Sequence, residues 1–400
     1  MKKSYLILAA VAGLLASCSN EVLVDEQATS NAAPQAIGFS TFAQKATRSA
    51  ADFELEDYHR TFVVYGTKTD DNEGTIQAVF GTNAASANTG VTCDFIADAA
   101  NYDLTRAWHY TPARYWDKQA QYHFAAYTPE AAPLTYTFAN AGDEVGATGT
   151  RFYSTANYTI TGQNRMQDET PQRAEVKTGF DGVEGTSPKQ DLDIMVSDLN
   201  SQHGSTHTAD VDLVFRHTLA KLNVALDVEK NAPAAGTAGY KVLVKTVTAA
   251  DFFSTGSFNS ALSGTKYAPT WTVVGTNKVD YTYVSPAFTA DPADGDQLDV
   301  DDYYFIESLV MPQAIAANQV ITLKYHLISI DAAGNEYPED YTYTLKMSDA
   351  FTAYTTPPTR YEENTNYFVK FHLNPENNVI TFDAGVYEWE NSYNHTENIN

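Results

Sequence analysis

The stretch ITLKYHLISIDAAGNEYPEDYTYTLKM, residues 321–347, decides the fold. Ile321, Leu323, Tyr325 and Leu327 fall on one face of an extended chain and Thr322, Lys324 and His326 on the other, the period-2 alternation of a half-buried strand. Asp331-Ala332-Ala333-Gly334-Asn335 then supplies turn chemistry before Tyr341 to Met347 resumes an extended run, so the segment predicts a hairpin. The same alternation recurs upstream. Tyr240, Val242 and Val244 oppose Lys241 and Lys245, and Leu222, Val224, Leu226 and Val228 oppose Asn223 and Asp227, which again reads as half-buried strands. Beyond the first residues, no window of a dozen residues carries a clear 3.6 period, and 26 Tyr with 20 Phe suit a pleated surface, so the chain is expected to be all-β.

The first residues have a different character. Lys2 and Lys3, the apolar run Tyr5 to Ala12 and then Leu15-Ala16-Ser17-Cys18 form a charged start, an apolar core of about 12 residues and small residues before a cut site. That core is too short to span a bilayer, so the segment reads as a secretory signal. The string LASC resembles a lipobox, closing a signal segment of residues 1–18, which implies that Cys18 is lipidated on sulfur and becomes the N-terminus after cleavage in front of it. Each buried methylene contributes roughly 0.8 kcal/mol, so two or three acyl chains would anchor the precursor firmly to a membrane. Without the motif the segment is an ordinary signal with an incidental cysteine. Residues 19–36 are small and polar and read as a tether.

The remaining chain, about 380 residues, is enough for two domains. The stretch DLNSQHGSTHTAD, residues 198–210, lacks apolar periodicity between two strand-dense halves, which places an expected boundary between segments 37–203 and 204–400. Fifty acidic against 25 basic residues give a net charge of −25, a field that repels phosphate backbones and anionic head groups, so no nucleic-acid partner is expected. If Cys18 carries lipid, Cys93 stands alone and no disulfide can form within the chain.

Chemistry-bearing motifs are weak. His203 and His207 have the spacing of a helical metal pair but sit beside Gly204 in a polar stretch that reads as a loop. Asp291, Asp294, Asp296, Asp299, Asp301 and Asp302 crowd one segment, yet Ala290 stands where a calcium loop centred on Gly295 would need an acid, and a solvated acidic loop fits better. His217 reads as a packed strand residue. No G-x-S-x-G, H-E-x-x-H or glycine-rich phosphate loop occurs, so neither a catalytic site nor a cofactor is expected and the chain reads as no enzyme. Trp108, Tyr110, Tyr115 and Trp116 could stack against a sugar or pack in a core.

Several strings together resemble the fimbrillin family of Bacteroidetes pilus subunits, over about residues 37 to 389. They are IGFSTFAQKATRSA at 37–50, WHYTPARYWDKQAQYHFAAYTP at 108–129, DLDIMVS at 191–197, VDLVFRHTLAKLNVAL at 211–226, VMPQ at 310–313, YFVKFHLN at 367–374 and VITFDAGVYEW at 379–389. The resemblance implies two tandem transthyretin-like β-sandwich domains, export as a lipoprotein, removal of an N-terminal strand by a protease and polymerisation by strand exchange with other pilus subunits at the cell surface. By that similarity residues 37–48 are the removable strand, with Ile37 and Phe39 on one face, and a trypsin-like protease cuts after Arg48 to leave Ser49 as the N-terminus. A sandwich that gives up a strand keeps unpaired N–H and C=O groups beside an apolar groove, which an extended segment of a neighbour can complete. The donor is sought in residues 379–389, where Ile380, Phe382, Ala384 and Val386 alternate with Thr381, Asp383 and Tyr387 before Trp389; the alternative is that this segment pairs within its own domain. A second functional reading is an uncleaved surface lipoprotein that binds a glycan or host ligand through its aromatic residues.

Overall fold

The computed structural model describes residues 35–43, 53–54, 59–71, 76–80, 90–96, 107–130, 132, 134–138, 152–162, 164, 192–206, 209–228, 236–261, 269–285, 296–297 and 303–389. In chain order the strands are β1 (Phe39–Ala43), β2 (Phe53–Glu54), β3 (Thr61–Asp70), β4 (Ile76–Ala78), β5 (Val91–Ile96), β6 (Ala107–His109) and β7 (Ala120–Thr128). Then come β8 (Thr135–Phe138), β9 (Phe152–Thr159), β10 (Met195–Ser197), β11 (Asn200–His203), β12 (Val211–His217) and β13 (Ala220–Val228). They are followed by β14 (Gly239–Phe253), β15 (Thr255–Ala261), β16 (Pro269–Val273), β17 (Lys278–Val284) and β18 (Asp296–Gln297). Last are β19 (Tyr303–Val310), β20 (Val320–Ile330), β21 (Glu336–Lys346), the single-turn helix α1 (Met347–Ala350), β22 (Thr365–Asn374) and β23 (Val379–Glu388). The all-β, tandem-sandwich class expected from the sequence is the class adopted.

Four sheets organise these strands. The first runs β2-β1-β12-β10-β7-β3-β5-β6, with β11 beside β7 and β4 beside β3. The second and third, β19-β13-β22-β23 and β17-β14-β20-β21, face each other across a large core in which Tyr283 packs edge-on against Phe305 and Tyr343 against Phe371. The fourth joins β8 and β9 to β15 and β16. The hairpin read from residues 321–347 forms as β20–β21 in one continuous register from Val320↔Lys346 to Ile330↔Glu336. Its turn closes because both Ala333 N–H and Asn335 N–H donate to the Asp331 carboxylate, while Gly334 supplies a φ of +84° that a side chain would resist.

One expectation needs correcting. Asn223 was placed on a solvent face, but β13 lies between β19 and β22 and is covered on both sides: Asn223 is fully buried and donates to Asn366, and Lys221 pairs with Glu307 at 2.6 Å. Pairing lowers the cost of burying these polar groups. The expected boundary between residues 203 and 204 lies between β11 and β12, which belong to the same sheet. β12 pairs parallel with β1 and antiparallel with β10 in the first sheet, so the chain crosses to the second sheet only at Thr218 and Leu219. Further, β9 from the first half pairs with β15 from the second.

The two hydrophobic cores share strands. Phe62 and Val64 of β3 and Phe124 and Ala126 of β7 enter the smaller core, while Val63, Tyr65, Ala125 and Tyr127 enter the larger one. Strands buried on both faces read as continuous apolar runs, which is what residues 62–65 and 124–127 show.

Candidate assembly site

Strand β1 is a short insert in the first sheet. It pairs parallel with β12 from Phe39↔Val211 to Ala43↔Phe215, and its far end pairs antiparallel with β2. The segment before it is held by residues 110–115: Ile37 N–H donates to the Arg114 carbonyl, the Tyr110 hydroxyl donates to the Ile37 carbonyl, and Ala36 bridges Tyr115. Ile37, Phe39 and Thr41 point inward and are buried, as the alternation of the sequence requires. The ring of Phe39 lies 5.7–6.3 Å from those of Phe62, Phe80, Tyr110 and Phe124. The indole N–H of Trp108 donates to the Thr41 hydroxyl at 2.9 Å. Without β1, the edge of Val211–Phe215 turned away from β10 would lose its partners and this aromatic floor would face water, a combination that invites an extended peptide.

Residues 379–389 occupy the edge of their own sheet. β23 pairs antiparallel with β22 from Thr365↔Glu388 to Asn374↔Val379, and its other edge has no strand partner among the described residues. Ile380, Phe382, Ala384 and Val386 lie half-buried on one face against the larger core, as their alternation predicts. In the single chain, then, the expected donor segment closes its own sheet. Trp389 ends it and is buried, stacked on the His217 ring at 4.1 Å and 14°. His217 in turn holds the Asp193 carboxylate at 2.8 Å. Burial alone would raise the Asp193 carboxyl, but His217, His59 and Lys221 outweigh it and hold the group below its ordinary range. Burial, joined by the positive potential of His217, pushes His59 down to about 4 against the pull of Asp193. His217 is thus a packed, hydrogen-bonded residue that fixes the end of the last strand.

Cys18, Arg48 and Ser49 lie outside the described residues, as do His207 and all of the acidic cluster except Asp296. His203 ends strand β11 and contacts Asp71 at 2.9 Å and Ser205 at 2.6 Å. Among the described residues no group of three or more His, Cys, Asp or Glu could hold a metal ion. Cys93 is fully buried, and burial pushes its thiol far up. The four aromatics of residues 108–116 do not form a stacking surface. Trp108 is buried against Phe62 at 4.7 Å, Tyr110 lies under Phe39, Trp116 packs on Tyr122 at 4.7 Å, and Tyr115 alone of the four is exposed.

Sequence reasoning missed the Trp108–Thr41 bond, the Asp193–His217–Trp389 chain and the acidic residues Asp210 and Asp212 beside β1. Each joins groups far apart along the chain, and only the inward position of Thr41 was signalled locally, by the spacing from Ile37 and Phe39.

The chain matches solved structures across nearly their full lengths. A fimbrial protein from Bacteroides vulgatus is 12% identical, with a TM-score of 0.50 over 88% of this chain and 99% of that one. A candidate cell adhesion protein from Bacteroides uniformis is 14% identical, with a TM-score of 0.41 over 88% of this chain and 98% of that one. Comparison with curated proteins returns no match. The fimbrillin-like family profile matches residues 61–389, from the start of β3 to Trp389. Over that span, which holds both facing sheets and most of the slot around β1, the chain belongs to the fimbrillin-like family.

Proposed function

We propose that this protein is a structural or accessory subunit of a cell-surface pilus that supports adhesion, exported as a lipoprotein precursor anchored through Cys18 at the outer membrane. A trypsin-like protease cuts after Arg48, β1 leaves, and an extended strand of a neighbouring subunit takes its place. Residues 379–389 are the donor this chain offers. The observation that carries the reading is the way β1 is held: three inward side chains, Ile37, Phe39 and Thr41, fill an aromatic slot, and no covalent bond between described residues would retain the strand after cleavage.

Each backbone hydrogen bond to β12 contributes a net of about 0.5–1.5 kcal/mol, and burial of a side chain such as Phe39 about 1.5–3 kcal/mol. The side chains therefore decide which strand stays. A donor strand that leaves its own sheet gives up its pairing with β22, so exchange trades one ladder for another, as in domain swapping. The family membership and the fold shared with a fimbrial protein support this reading over an enzyme. A glycan-binding role has less support, because the rings that would stack on sugar pack inward.

The test is to treat the purified precursor with a trypsin-like protease. A new Ser49 N-terminus together with denaturant-resistant oligomers, formed with a second copy or with another pilus subunit added to the mixture, is expected. A protein that is cut at Arg48, loses residues 37–43 and joins neither a second copy nor another subunit would sink the proposal.

A further inference from the structure

Two carboxylates stand on the outer rim of the β1 slot. Asp210 immediately precedes β12, Asp212 is its second residue, and both are exposed. Their positions relative to an inserted strand are set by the ladder, since Val211 N–H donates to the Gly38 carbonyl at 2.8 Å and Ser40 lies opposite Asp212. The Ser40 hydroxyl donates to Asp212 Oδ1. At Gly38 a Cβ would collide with Oδ1 of Asp210. The strand now in the slot thus meets the two carboxylates with no side chain at one outward position and a hydrogen-bond donor at the next.

The last strand repeats the inward spacing of β1. Ile380, Phe382 and Ala384 follow one another at the intervals of Ile37, Phe39 and Thr41. Laid in the slot in that register, Thr381 takes the place of Gly38 and Asp383 that of Ser40. The threonine makes the exposed Asp210 side chain turn aside, and the carboxylate of Asp383 faces that of Asp212 where a hydrogen bond stood. In its own sheet Asp383 is matched instead: it lies opposite Lys370 and contacts His372 Nε2 at 2.9 Å. The net charge of −25 on each copy adds to the mismatch.

We propose that Asp210 and Asp212 make the slot charge-selective. It takes an Ile-x-Phe-x-small strand from a subunit of another kind, one that carries a small residue and then a hydroxyl or a cation at its outward positions, and it disfavours the last strand of a second copy of this chain. Specificity then comes from a repulsive element built against the wrong partner as well as from fit to the right one. The inference rests on the strand-exchange reading, and the experiment separates the two.

In the full-length chain, Ser40→Asp is expected to lower the folding equilibrium constant by about 1.5- to 5-fold, the span for a like-charge cross-strand pair, and Asp212→Lys in the same chain to restore it. A Ser40→Asp protein as stable as the parent, or one that Asp212→Lys does not rescue, overturns the charge rule. In the protease-treated protein, Asp212→Lys and Asp383→Lys are each expected to raise self-joining by a similar factor. The double variant, with like charges again opposed, is expected to return to the parent level. A double variant that joins as well as either single one overturns the inference. If none of the four proteins joins while the full-length cycle behaves as expected, the rim discriminates by charge and the assembly reading fails.

Discussion

His59 is buried neutral beside Asp193 and His217, and its placement makes stability depend on pH. An unfolded histidine takes up a proton near pH 6.5, whereas the folded one resists until about pH 4, so the unfolded chain binds more protons between these values. Stability is therefore expected to fall as pH drops through that window, by roughly 3 kcal/mol in all, and His59→Gln is expected to flatten that part of a urea-unfolding profile. Phe39 gives a second residue-scale expectation. Phe39→Ala leaves a hole among Phe62, Phe80, Tyr110 and Phe124 and is expected to cost about 3–5 kcal/mol, read as a lower denaturation midpoint with an unchanged slope. The inward side of β1 was legible in the sequence because alternation is a local property. The rim was not, because Asp210 and Asp212 gain meaning only when a strand more than 170 residues earlier is laid beside them.

At the scale of elements, β20–β21 was legible down to its turn because both strands and the reversal lie within one stretch of sequence. Strand β13 was misread for the opposite reason. Its Asn223 looks solvent-facing until β22 brings Asn366 alongside, and that partner is not near in sequence. Strand β23 carries an expectation of its own. As an antiparallel edge strand it directs every second backbone N–H toward β22 and the others away from the ladder. Residue-resolved hydrogen exchange on the uncleaved chain should show slow and fast amides alternating along Val379–Glu388. Uniform protection along the strand would mean that its outer edge is already paired.

For the whole molecule, the recurring two-residue alternation carried the all-β class, and the tandem arrangement was implied by the family resemblance. Neither carried the interweaving, because pairing across halves leaves no periodic trace. β15 needs β9 beside it, and β12 completes a sheet begun by β1. Fragments 37–203 and 204–400 expressed separately are therefore expected to lack cooperative thermal transitions, and circular dichroism of each alone against an equimolar mixture checks this. The parallel pairing of β1 with β12 also governs how the protein comes into being. Ser40 and Asp212 are separated by 172 positions, and closing a loop of that length costs about 4–5 kcal/mol of chain entropy before any contact rewards it. The first sheet cannot shut before β12 has followed β1, so its closure is expected to be slower than that of local pairs such as β20–β21.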